Sequence, residues 1–287
     1  MPKLSPPFTL LRSSFNIFKA NKQLFYPFIL LVFINLLALE ILYFSPQYPL
    51  SVFFAPIVSH IWGEVYAHYP MDLLLLPKTF YYAQLCIYLF IGSFLLGVTA
   101  HMVAGINNEE TVNLKKSLRK CSSSYIHIVL SAILSLALFQ GLNSAYGLVF
   151  QRALKIHSTS GIYFWIKKLV VLGVPYMQLI FSVFITALLI YMAPIIVLEQ
   201  KKIFKALFGN FKFLFASFWL TLVLVLVPNL LYVPVLLLRD NMVFLGSLTV
   251  PGIQVWVIAL SILVSTAINI FIITAVTINY LFIKENP

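Results

Sequence analysis

Charge is what this chain has least of. Only 8 of its 287 residues are acidic, and charged residues of either sign make up 9% of the sequence. Soluble domains carry about 25%. Set against 61% hydrophobic residues, that scarcity excludes a chain that folds alone in water, because too little polar surface exists to cover the apolar part. Cysteine is nearly absent too. Cys86 and Cys121 form no C-x-x-C pair, which argues against a disulfide framework and predicts two free thiols. Catalytic signatures are also missing: no G-x-x-x-x-G-K-[ST], G-x-G-x-x-G, G-x-S-x-G or H-E-x-x-H occurs. Glu109 and Glu110 precede Arg119 by too wide a gap for the E-E-x-x-x-R box of membrane proteases. No cofactor is expected, and no nucleic-acid partner, since no soluble basic domain exists to hold one.

What the sequence has in quantity is uninterrupted apolar sequence. Six runs of membrane-spanning length are expected near Leu24–Phe44, Phe80–Val103, Ile126–Phe150, Val170–Val197, Phe213–Leu237 and Val250–Ile283. The runs are continuous and do not alternate, so they predict helices and not barrel strands. The fold class read from this is an all-α integral membrane protein, a six-span helical bundle. The first run exceeds the apolar core of a signal peptide and no A-x-A-like site follows, so it is expected to be retained.

Lysine and arginine give an orientation. The two ends and the second and fourth connections hold 13 of the 19 basic residues, and the remaining connections hold 6. Both termini are therefore expected in the cytoplasm, with the protein in the cell (inner) membrane. A net charge of +11 is consistent with anchors facing anionic lipid on the cytoplasmic side of the bilayer.

The anchors are concentrated. In "KKIFKALFGNFKFLF", Phe204, Phe208, Phe211 and Phe215 recur at helical spacing, widened by Ile203, Leu207 and Leu214. Lys201, Lys202, Lys205, Asn210 and Lys212 fall on the other side. That is the pattern of an amphipathic helix lying in a membrane interface. The N-terminal segment repeats it, with Leu11, Phe15 and Phe18 on one face and Arg12, Lys19 and Lys22 carrying the charge. A shift of 189 residues aligns the two, and "LKKSLRKC", with Leu114, Leu118 and Cys121, offers a third copy. The expected organisation is three parallel units, 1–105, 106–198 and 199–287, each an interfacial helix followed by two spans.

This layout resembles a group of poorly characterised prokaryotic six-span membrane families, among them the membrane domain found beside some glycerophosphodiester phosphodiesterases. Glu199, the segment Ile203–Leu207 and Asn210 carry the resemblance. It implies a six-span architecture and brings no active site.

Polar residues inside apolar runs are the remaining candidates, because each is costly there. Glu40 is the one carboxylate in a predicted span. Gln178, Ser182 and Thr186 form one polar stripe at helical spacing, Ser261, Ser265 and Asn269 another, and Ser131 with Ser135 begin a third. Such stripes join helices or line a path. Pro228 and Pro234 predict a kink beside Asn229. Glu40, Gln140, Asn229 and Asn269 are taken as candidate substrate-binding residues. His60, Glu64 and His68 fall four apart, a weak metal candidate on one helix face, and His101 with His127 match in depth as a haem pair would. No metal is expected. The expected function is a non-catalytic multi-pass membrane protein: an accessory or scaffold subunit, or a lipid-associated bundle, with other membrane subunits as candidate partners. The alternative is a transporter with a polar path near mid-membrane.

Overall fold

The computed structural model describes residues 7–110, 113–155, 161–242, 244 and 252–285. Helices account for every regular element among them: α1 (Pro7–Ala20), α2 (Phe25–Tyr43), α3 (Ser51–Trp62), α4 (Asp72–Ile87), α5 (Ser93–Asn107), α6 (Leu114–Ser122), α7 (Tyr125–Leu154), α8 (Ile162–Leu172), α9 (Val174–Leu189), α10 (Met192–Glu199), α11 (Ile203–Leu230), α12 (Val233–Asp240) and α13 (Ile253–Glu285). Six stretches are long and apolar enough to cross a membrane: Lys22–Tyr43, Asp72–Asn107, Tyr125–Leu154, Tyr176–Glu199, Ile203–Leu230 and Ile253–Glu285.

The expected runs match these six in number and order, and the boundaries differ, most of all in the fifth, which begins ten residues earlier, at Ile203. The second begins eight residues earlier, at Asp72, and passes through a π-helical turn at Tyr88–Gly92. The fourth begins later, because Gly173 ends α8 and Val170–Leu172 belong to that separate helix. The fifth is interrupted by the turn at Leu231–Tyr232, after which α12 starts with Pro234 in its first turn, where a missing N–H costs nothing. The sixth is described from Gly252, so Val250 lies outside the described residues.

The central helix is α13. Between Ile268 and Ile283 its buried positions leave little of its circumference exposed, and α1, α2, α5, α11 and α12 pack around it. Two larger apolar clusters result. One joins Met102, Ile128, Ile195, Val197, Val225 and Ile272 towards the end that carries α1 and Glu285. The other joins Leu39, Leu73, Phe80, Met242, Val257 and Ile262 at the opposite end. Gly97 permits the closest approach in the first: a methyl group there would stand 3.1 Å from Val197 and 3.2 Å from Ile128. Outside these clusters the surface is apolar to a degree that soluble proteins avoid, with Phe33, Leu169, Phe215 and Trp256 all exposed. Helices α3 and α8 bury no residue at all.

The segment Lys201–Phe215 carries three stripes where the sequence predicted two. Phe204, Phe208 and Phe215 are exposed, and Lys201, Lys202, Lys205 and Lys212 are exposed beside them. The third stripe, Ala206, Asn210, Leu214 and Ser217, is buried in the bundle. Asn210 is thus not on the charged face, and Leu214 does not widen the aromatic one. In α1 the expected face divides likewise: Leu11 and Phe18 are buried, and Phe15 is exposed. Leu10 and Leu11 wedge against Leu220, Leu224 and Ala275. Arg12, Lys19 and Lys22 stay exposed. In α6, Ser117 and Cys121 face inward and Lys115, Lys116, Arg119 and Lys120 outward; Asn113 caps the helix by accepting from the Lys115 N–H at 2.9 Å. Cys121 is fully buried, which pushes its thiol up to about 12.

Candidate functional site

Between the two clusters the bundle is not filled. A cavity of about 490 Å³ lies among α4, the π turn, α7, α9, α11, α12 and α13. Its lining follows helical spacing on each wall. The α4 wall presents Tyr81, Gln84, Leu85 and Tyr88, the last within the π turn that widens the helix there. The α9 wall presents Gln178, Ser182 and Thr186, and the α13 wall Ser265, Ile268 and Asn269. Along the interrupted fifth stretch, Asn229, Tyr232, Leu236 and Arg239 all turn inward. Chain direction places Gln178, Arg239 and Asp240 towards the end away from Glu199, and Ser135, Thr186, Ser265 and Asn269 deeper in.

Hydrogen bonding at the wall is uneven. Asn229 donates back to the Val225 carbonyl at 2.8 Å, one turn earlier. Arg239 Nη1 donates to the Tyr232 hydroxyl at 3.1 Å, which leaves the phenol hydrogen for Ser261 Oγ, 2.7 Å away on α13. That relay fixes the guanidinium at the wall. Among the described residues, Arg239 has no carboxylate within ion-pair distance, and the side-chain amides of Gln84, Gln178 and Asn269 bond nothing in the chain. Gln178 is exposed and Gln84 and Asn269 are half-buried, so these amides stay open to water or to a ligand in the cavity.

The end near Glu199 is built differently. The Tyr191 hydroxyl meets Thr221 Oγ1 at 2.6 Å and Ser217 Oγ at 3.0 Å, and accepts from Asn279 Nδ2 at 2.6 Å. Ser217 sits at a kink, with φ −141° and ψ 31° inside α11, and donates to the Phe213 carbonyl at 3.0 Å. Asn210 donates to the Leu188 carbonyl at 2.7 Å, where the break between α9 and α10 leaves that acceptor free of the helix ladder. At the rim, the Glu199 carboxylate accepts from the Tyr280 hydroxyl at 2.6 Å and pairs with Lys201 at 2.6 Å and Lys284 at 2.8 Å. This assembly packs that end of the bundle, and none of its residues lines the cavity.

The four candidate binding residues therefore separate. Asn229 and Asn269 line the cavity. Glu40 and Gln140 are exposed on α2 and α7 and do not line it. Ser261 joins helices, and Ser265, Ser182 and Thr186 face the cavity. His60, Glu64 and His68 share no helix face, because α3 ends at Trp62 and Gly63, at φ 101°, turns the chain. Among the described residues no group of three metal-ligating side chains occurs. His101 Nδ1 lies 3.0 Å from Ser117 Oγ, and so turns towards α6. Arg239, Tyr232, Tyr81 and Gln84 were missed in sequence. Their signal was present: Asn229, Tyr232, Leu236 and Arg239 repeat at three, four and three residues, as the inward face of a helix does.

No family model matches this chain, and neither a curated protein nor a solved structure matches it.

Proposed function

We propose that this chain is a multi-pass membrane protein whose six apolar stretches insert into the bilayer, and that the cavity is a permease-type binding site for a small ligand. The observation that carries this reading is convergence. Polar stripes on α9 and α13, the inward face of α11–α12 and the α4 wall meet at one hollow of about 490 Å³, a size typical of small-molecule sites. In the orientation given by the lysine and arginine counts, the cavity faces the side away from the cytoplasm, and the Glu199 assembly seals it from the cytoplasm. Such a site accepts ligand from outside and releases it inward only after the closed end rearranges.

Cysteine accessibility tests this directly. In a chain lacking Cys86 and Cys121, Thr186→Cys and Ser265→Cys should react with a charged, membrane-impermeant thiol reagent added outside. Phe184→Cys, on the outward face of the same helix, should not. Equal protection of all three would show a dry hollow and end the permease reading.

The accessory or scaffold reading keeps support from a separate observation. Helices α3 and α8 hold no fully buried residue and display exposed apolar side chains such as Phe53, Ile57, Trp165 and Leu169, as surfaces covered by lipid or by another membrane subunit would. The exposed lysines beside Phe204, Phe208 and Phe215 suit an anionic lipid surface. Glu199 and Asn210, which carry the resemblance to the six-span families, both belong to the closed end, so we take that resemblance as one of scaffold and not of site.

A further inference from the structure

From the cavity's wall chemistry we infer the class of its ligand: an amphipathic anion, one phosphate or carboxylate head on an uncharged body, with the head held by Arg239. The inference rests on the cavity being a binding site. Among the described residues Arg239 is the only cationic side chain on the wall, and no carboxylate lies within ion-pair distance of it. Asp240, its neighbour, also lines the cavity but is exposed, and attracts Arg239 only from beyond that distance. Of the five N–H donors on a guanidinium, one is used on Tyr232, which leaves the fork free for two parallel bonds to a planar or tetrahedral oxyanion. A cation fixed by a two-step relay at a cavity wall, with the nearby Asp240 carboxylate beyond ion-pair distance, is complementary to an anion that comes from elsewhere.

The rest of the wall specifies the body. Deeper in, no charged side chain occurs, so a second charge would have no partner. Leu136, Phe139, Leu179, Ile185 and Ile268 alternate there with Ser135, Thr186, Ser265 and Asn269, which favours an apolar chain with room for neutral hydrogen-bonding groups. The polar groups are also spread over the wall, Asn229 on α11 and Arg239 on α12 beyond the Leu231–Tyr232 turn. A bare inorganic anion would leave most of the hollow of about 490 Å³ unfilled.

The test uses the full chain in an uncharged maltoside detergent, with the unfolding midpoint followed by tryptophan fluorescence. Four probes are compared: octyl phosphate, octanol, inorganic phosphate and octyltrimethylammonium. Octyl phosphate should half-saturate at a concentration about tenfold to a hundredfold lower than octanol, the value of charge-assisted hydrogen bonds. R239Q should bring octyl phosphate to the octanol level, and R239K, which keeps the charge and loses the fork, should fall between. Unliganded midpoints of both variants establish that they fold, and R239K serves if R239Q does not. The inference is overturned if octyl phosphate binds no more tightly than octanol, if octyltrimethylammonium matches it, or if the Arg239 variants bind as the native chain does. Inorganic phosphate saturating as readily as octyl phosphate overturns the amphiphile and leaves a simple anion site. Thr186→Trp separates the two levels of argument. If it abolishes octanol binding while octyl phosphate shows no preference, the cavity stands and the anion falls. If it leaves every probe unaffected, both fall.

Discussion

The two halves of the bundle place polar side chains differently. Around Tyr191, buried hydroxyls and the Asn279 amide bond one another, although Asn210 Oδ1 and Asn279 Oδ1 keep no partner, and the Glu199 carboxylate gathers a phenol and two ammonium groups. Around the cavity, the amides of Gln84, Gln178 and Asn269 bond nothing in the chain and are half-buried or exposed. A hydrogen bond made inside a low-dielectric bundle stabilises it, and a polar group that keeps access to water neither adds to the fold nor costs it much. Polar residues in the first half are therefore expected to hold the structure together, and those in the second to be dispensable for it.

The largest effect should come from setting one half against the other. Tyr191→Phe removes one oxygen and strands the Asn279 amide, while Ser217 keeps the Phe213 carbonyl and Thr221 keeps Ser217. A loss of about 1–3 kcal/mol is expected for the one buried group left unsatisfied. Asn269→Leu, a larger chemical change, should stay within about 0.5 kcal/mol of the native chain. Denaturation of both variants in the same mixed micelles gives the two numbers, and a reversed order would remove the distinction drawn between the halves. A smaller effect is expected at the rim. Glu199→Gln keeps an acceptor for Tyr280 but loses both ion pairs, whose lysines are about half exposed and so contribute little each. A loss of about 1 kcal/mol is expected, and one above about 3 kcal/mol would show that the pairs act as buried charges. The smallest change is no change. The Cys121 thiol, held up near 12 by burial, should stay protonated and unreactive towards maleimides at pH 7 to 9 until the chain is unfolded, when its ordinary value near 9 returns. Labelling of the folded chain at the unfolded rate would mean that α6 swings away from α5.

Much of the architecture was legible because lipid-length apolar runs need no tertiary information to be recognised. The polar stripes on α9 and α13 were legible too, since helical spacing alone puts Gln178, Ser182 and Thr186 in line. What they faced was not, because a stripe that packs and a stripe that lines a hollow share one spacing. Arg239 was hidden for a related reason: counted with the loop charges, it served to orient the chain and was never placed on a face. Asn210 was misplaced because a helix that shows an aromatic stripe and a charged stripe and also packs on protein has three sides, and two-class patterning supplies only two. The bend at Ser217 has no proline to announce it; the hydroxyls of Thr221, one turn on, and of Tyr191, on another part of the fold, bond the kinked residue. The histidine pattern failed at one residue, Gly63, whose positive φ ends the helix the pattern assumed.

The hollow also has a mechanical consequence. Close-packed interiors scarcely compress, and hydrostatic pressure unfolds proteins chiefly by abolishing internal void. A space of about 490 Å³ that stayed dry would make this bundle unusually soft under pressure. Filled with on the order of ten water molecules, or with a ligand, the same space would have almost no volume left to lose. How the folded chain responds to compression thus reports what its interior contains, with no need to know the ligand's name.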